Sequence, residues 1–256
     1  MKANVTIKAL SAAVLGLAGM AFAGSSMAAC GTDPAQPAGA WSGKLVVGGG
    51  ALAITTPGLK VTECAMSASI NTGAGGLATA TVRDDTPAAE TRYRFRFYLN
   101  TDALTGFGGV QGAQIFTANS TNPFPAVGGS TQILRISLIP GGATGKRLNF
   151  IAACNDPGAG YQCSSVAPLA AVGTVNVVEG EIVIGGAGTG KVNYWVNNNV
   201  AATATGTINL DNAAWTGVDT TFMGLSNATA TFRTNQATKA VVFDEFDSRR
   251  QTFIGF

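Results

Sequence analysis

The stretch Arg92-Tyr93-Arg94-Phe95-Arg96-Phe97-Tyr98-Leu99 decides the fold. Successive side chains of an extended chain point to opposite sides. Arg92, Arg94 and Arg96 therefore share one face, and Tyr93, Phe95, Phe97 and Leu99 share the other. One sheet cannot bury such an apolar face alone, so a second sheet must pack against it. Further strands are expected on both sides of this one. Gln132–Ile139 ends at Pro140-Gly141-Gly142 and returns as Lys146–Ala152, which reads as a hairpin. Val175–Ile184, Lys191–Val196, Ala201–Leu210 and Ala237–Phe246 follow, separated by Gly, Asn, Asp and Pro clusters. Helical periodicity is hard to find. The expectation is all-β: a two-sheet antiparallel β-sandwich.

Composition narrows the options. Of 256 residues only 12% are charged, about half the usual share, while 46% are hydrophobic and 34 are glycine. Such a chain can bury enough apolar surface to offset its ordering entropy, which excludes disorder. Glycine shows no three-residue period, which excludes collagen. The chain contains no His, so Ser-His-Asp and Cys-His catalysis and His-ligated metals are excluded.

Residues 1–29 read as a secretory signal. Lys2 and Lys8 precede the apolar run Ala9–Ala18, and small-residue cleavage sites follow Ala23 and Ala28, placing the cut within 23–29. Residues 30–256 are then one sandwich domain, since about 230 residues suit a single large all-β unit. Loss of the two lysines takes 16 basic residues to 14, equal to the 14 acidic ones. A neutral chain has no global attraction for nucleic acid or anionic membranes. No later stretch reaches the ~18 apolar residues of an integral membrane segment. The expected location is secreted, periplasmic or cell-surface. Cys30, Cys64, Cys154 and Cys163 are an even set in an exported chain, which favours disulfides. The turn-rich segment between Cys154 and Cys163 brings its ends together, leaving Cys30 for Cys64. The rival reading takes Met27-Ala28-Ala29-Cys30 as a lipoprotein box with an acylated Cys30.

Three stretches carry a family resemblance: Arg92–Asn100, Gly190–Asn198 with its Tyr194-Trp195-Val196, and Val241–Arg250 with Phe253-Ile254-Gly255. Together they resemble a concanavalin A-like or LamG-like jelly roll over about residues 90–256. The resemblance implies a fold used by sugar-binding lectins, adhesive modules and glycan-cleaving enzymes. In laminarinase-like glycosidases on this fold a strand carries Glu, then Asp two residues on, then Glu three further. Glu245 and Asp247 match, but Arg250 stands at the acid position, so the two-carboxylate mechanism is incomplete. The plain alternative pairs Arg249 or Arg250 with Asp244 or Asp247.

Other candidates compete with ordinary roles. Asn193, Trp195 and Asn197 share a face by alternation and offer an indole flanked by amides, suited to a sugar; the alternative is a Trp that covers the sheet. Arg92, Arg94 and Arg96 form a cationic stripe for sulfate, uronate or phosphate, or a solvated face paired with Glu179 and Glu181. Those two glutamates, on one face of their own strand, are a possible carboxylate pair or a solvated edge. Calcium stays open, with Asp102, Asp211 and Asp219 as unranked donors, although no loop has calcium-hand spacing. Gly185–Lys191 mimics a phosphate loop, but Val192 replaces the Ser or Thr and a strand follows, which makes it a hairpin turn. The resulting expectation is an exported, non-catalytic binding or surface module with saccharide as ligand and no cofactor. A structural or adhesive protein is the first alternative, and a glycan-active hydrolase or lyase the second.

Overall fold

A computed structural model describes residues 30, 31, 33, 41–60, 62, 64–124, 130–141, 145–211, 213–249 and 252–256. The expected signal segment, its lipoprotein box before Cys30, and Arg250 lie outside them. Fourteen strands form two seven-stranded antiparallel sheets. Sheet 1 has the order β1 (Gly43–Val47), β4 (Thr79–Asp84), β13 (Thr220–Ser226), β6 (Ala113–Phe124), β7 (Ser130–Pro140), β8 (Lys146–Ala153), β9 (Gln162–Pro168). Sheet 2 has the order β12 (Gly206–Asn209), β11 (Lys191–Val196), β10 (Asn176–Val183), β5 (Arg92–Asn100), β14 (Val241–Arg249), β3 (Ala65–Ile70), β2 (Gly50–Thr55). This is the two-sheet antiparallel sandwich expected from the alternation, in the jelly-roll form that the resemblance implied. Among the described residues no helix is long and apolar enough to cross a membrane.

Strand β5 lies in the interior of sheet 2, and its Tyr93, Phe95, Phe97 and Leu99 are all buried in the core. Two cross-sheet stacks tie the layers together. Phe95 lies on Phe116 of β6 with centroids 4.0 Å apart, and Tyr194 of β11 lies on Phe150 of β8 at 3.9 Å. Strand β10 makes room for the first stack with Gly180. A Cβ there would sit 2.3 Å from the Phe95 ring.

The short helix α1 (Ala230–Asn235) carries the chain from sheet 1 towards β14. Thr229 caps it, its hydroxyl accepting from the Phe232 N–H, and Phe232 is fully buried. Residues 201–205, expected as strand, form a turn before the short β12. The glycine run 185–190 is the turn between β10 and β11. Cys30 is bonded to Cys64 and Cys154 to Cys163, each pair with Cα atoms 5.7 Å apart.

Gly180→Ala should push Phe95 off its stack and cost about 1–3 kcal/mol, the usual range for overpacking a filled core. Urea unfolding checks this. A midpoint equal to that of the parent would show that the interface can relax around a methyl group.

Candidate functional site

The charged face of β5 is on the outside of sheet 2, as the alternation requires, but water does not reach most of it. Register places Arg96 opposite Glu179 and Arg94 opposite Glu181. Arg94 is 6% exposed, Glu179 2% and Glu181 3%. The Arg94 guanidinium meets Glu181 at 3.0 Å and Glu179 at 3.3 Å, while Arg92 meets Glu181 at 2.7 Å. Asn193 adds a third group on Glu181, donating to its second oxygen at 2.9 Å. Burial acts to raise the Glu181 pKa. The donors Asn193 and Arg92 and the adjacent Arg94 outweigh burial and hold it below the ordinary carboxylate value. The solvated face expected from sequence is therefore corrected to an ion cluster that is buried at Arg94, Glu179 and Glu181 and reaches water only at Arg92. Arg92 and Arg94 are spent on these internal carboxylates, while Arg96 faces Glu245 at 3.5 Å.

Asn193 and Trp195 do share this face, yet it is not an open stacking surface. Trp195 is 3% exposed, its indole N–H donates to the Val200 carbonyl at 3.1 Å, and Phe253 meets it edge-on at 5.3 Å. The Asn193 carbonyl accepts from Thr207 at 2.8 Å. Asn197 has left the strand, with φ of 54°, and its amide bridges Val177 N–H and the Asn176 side chain. All three candidates thus hold the sheet together. Lost alternation also separates Glu245 from Asp247. A bulge lies between Asp244 and Asp247, and Glu245 takes a φ of 44°. Asp247 pairs with Arg249 at 2.7 Å, the plainer of the two readings. Asp102, Asp211 and Asp219 each accept backbone N–H groups in separate places. Among the described residues no group of three acidic, Cys or His side chains is close enough to hold a metal.

The open site is on the other sheet. A groove of about 480 Å³ runs across the outer face of sheet 1, over β1, β4, β13, β6 and β7. Its middle is Phe222 of β13, which register sets directly between Arg83 of β4 and Thr117 of β6. Directly opposed residues share a face, so a phenyl plane lies beside a guanidinium and a hydroxyl. Gln114, Asn119 and Gln132 add amides to the lining. Arg83 pairs with Asp85 at 2.9 Å, and this pair stays wet, at 46% and 41% exposed. Thr81 also lines the groove. Its hydroxyl is buried with no partner among the described residues.

Beside Thr81 stands Gly224, with φ of 138°, where a Cβ would lie 2.1 Å from the Ala80 carbonyl. Only glycine fits that approach. Sequence reasoning missed this groove. Its residues come from five strands far apart in the chain, and the Thr79-x-Thr81-x-Arg83 alternation was its one local signal.

No family model matches the chain, and no curated protein does. Solved structures do. An endo-β-1,4-glucuronan lyase from the fungus Trichoderma reesei aligns with a TM-score of 0.58 at 12% identity, covering 84% of this chain and 92% of that one. A cellulose-induced protein aligns at 0.51 with 17% identity, covering 82% and 90%. At these identities the likeness is one of fold. It still counts against the expectation of a non-catalytic module, because a polysaccharide lyase uses this same fold along nearly its whole length and the fold therefore does not mark a binding module. The two-sheet jelly roll stands, while the narrower concanavalin A-like or LamG-like identity gains no support.

The stability that ionised Glu181 contributes is present above the pH at which an unfolded glutamate titrates, and is lost as pH falls through its lower folded value. Urea midpoints should therefore drop on acidification below about pH 4.5. Glu181→Gln should flatten that drop while costing about 1.5–3 kcal/mol at neutral pH, since Arg94 loses one of its two carboxylates and keeps Glu179. An acid slope unchanged in the variant would assign the effect to other carboxylates.

Proposed function

We propose that the protein is a glycan-active enzyme that cleaves an acidic polysaccharide by β-elimination in the groove of sheet 1. The observation that carries this reading is the exposed Arg83–Asp85 pair beside Phe222 in an amide-lined groove. The phenyl plane suits the apolar face of a sugar ring, and the amides and hydroxyls suit its hydroxyl groups. Guanidinium groups match carboxylates in a planar, two-pronged geometry, so Arg83 is the group to hold a uronate carboxylate and draw charge from the ring. That makes the adjacent ring proton more acidic.

Asp85 is the proton acceptor in this reading. It takes the C5 proton, the C4–O4 bond breaks as the C4=C5 double bond forms, and the same proton passes to the leaving oxygen. Hydrolysis fits less well, because it needs two carboxylates flanking the bond. Asp85 is the one carboxylate among the described residues lining the groove. The shared fold with a glucuronan lyase supports glucuronan as the first substrate to test. The two disulfides support an exported protein, since such bonds persist in oxidising compartments.

Incubation with glucuronan should yield chain fragments ending in an unsaturated uronate, read by ultraviolet absorbance and mass. Arg83→Ala and Asp85→Asn should each lower the rate by about 100-fold or more, the usual contribution of a positioned acid or base. Both side chains are exposed, so the fold should survive. Intact polymer after prolonged incubation with the parent protein, or full rates in both variants, would overturn the reading.

A further inference from the structure

The closed face of sheet 2 holds a piece of chain, and it holds that piece by its backbone. The two carboxylate oxygens of Glu179 accept the successive N–H groups of Ile254 and Gly255, each at 2.9 Å. Arg96 donates to the Gly255 carbonyl at 2.8 Å. Asn199 brackets Phe256, accepting its N–H at 3.1 Å and donating to its carbonyl at 2.8 Å. The Phe253 ring meets the indole of Trp195 edge-on, with the Arg94 guanidinium 5.6 Å from its centroid.

Three features make this a receptor rather than ordinary packing. The groups that bind the segment belong to β5, β10, β11 and the turn after β11, so the sheet itself fixes their positions. They are also aimed at main-chain atoms, which any segment of the right shape presents. Selectivity enters at two positions only. Phe253 fills the aromatic seat over Trp195, and Gly255 has φ of 71°, where a Cβ would come 2.6 Å from the Asn199 oxygen.

We propose that the outer face of sheet 2 is a peptide-binding site for a segment of the form aromatic–X–glycine–X, occupied in this chain by its own residues Phe253–Phe256. The site is separate from the groove of sheet 1 and stands whether or not that groove is catalytic. Removal of the segment takes two backbone donors from Glu179, which keeps Arg94, and the carbonyl acceptor from Arg96, which keeps Glu245. It leaves the Asn199 amide without its Phe256 partners and uncovers one edge of Trp195. A peptide supplied from outside restores all of these contacts.

The test uses a chain ending before Thr252 and the synthetic peptide Thr-Phe-Ile-Gly-Phe. Tryptophan fluorescence and titration calorimetry should show saturable one-to-one binding to the shortened chain and none to the full chain, whose site is filled. Alanine in place of the first phenylalanine of the peptide, or of its glycine, should weaken binding about tenfold or more, as should Glu179→Gln in the protein. If the shortened chain does not fold, the full chain carrying Phe253→Ala replaces it; its own segment is weakened and the added peptide should displace it. A folded shortened chain, or the Phe253→Ala chain, that ignores the peptide would overturn the proposal. So would equal binding of the alanine-substituted peptides.

Discussion

The stack of Phe95 on Phe116 is the contact from which both outer faces of the sandwich follow. It joins the middle of sheet 2 to the middle of sheet 1 at 4.0 Å. With a side-chain period of two, an inward Phe95 obliges Arg94 and Arg96 to point outward. On β6 the same logic needs one irregularity. Gln114 and Phe116 have the same parity and would share a face in a regular strand, yet Phe116 is in the core and Gln114 lines the groove. The register shift between them resolves the conflict by burying Ile115 and Phe116 together. The bulge therefore lets one strand present an aromatic ring to the core and an amide to the groove.

The outer face of sheet 2 shows how charge can be kept dry. Taking an arginine and two glutamates out of water costs several kcal/mol per ion, and the attraction between them offsets this only when the remaining hydrogen-bonding groups are also satisfied. Here they are. Arg94 spans two carboxylates and is flanked by two rings. Glu181 takes Asn193 and Arg92, and Glu179 takes two backbone N–H groups from the segment above it. Without that segment Glu179 would keep only part of its hydrogen bonding. The burial of the ion cluster and the seating of Phe253–Phe256 are therefore one arrangement.

These two faces also mark how far the amino-acid sequence could be read. The sidedness of β5, the carboxylate partners of its arginines and the strand Lys191–Val196 were legible, because each depends on residues two apart in an extended chain. Burial was not. Whether Trp195 faces water depends on Val200 and on Phe253, 58 residues further on, and nothing near Trp195 encodes that contact. Alternation misled at Glu245 and Asp247, since a bulge spends one residue without turning the next to the other face. The groove was missed for a different reason. Arg83, Gln114 and Phe222 become neighbours only when β4 and β6 flank β13, and polar residues on such strands look like any solvated surface.

Hydrogen bonding differs between the two outer faces. On sheet 2 nearly every charged group is matched by a partner from the same chain. On sheet 1 the Thr81 hydroxyl is buried with no partner among the described residues, and Gly224 opposite it lets the two backbones approach closely. A buried polar group without a partner costs roughly 1–3 kcal/mol. Threonine to valine would remove that cost with little change in shape. Keeping the hydroxyl is reasonable if a ligand supplies the missing hydrogen bond, and sugar hydroxyls, which both donate and accept, suit that position whichever way the Thr81 proton points.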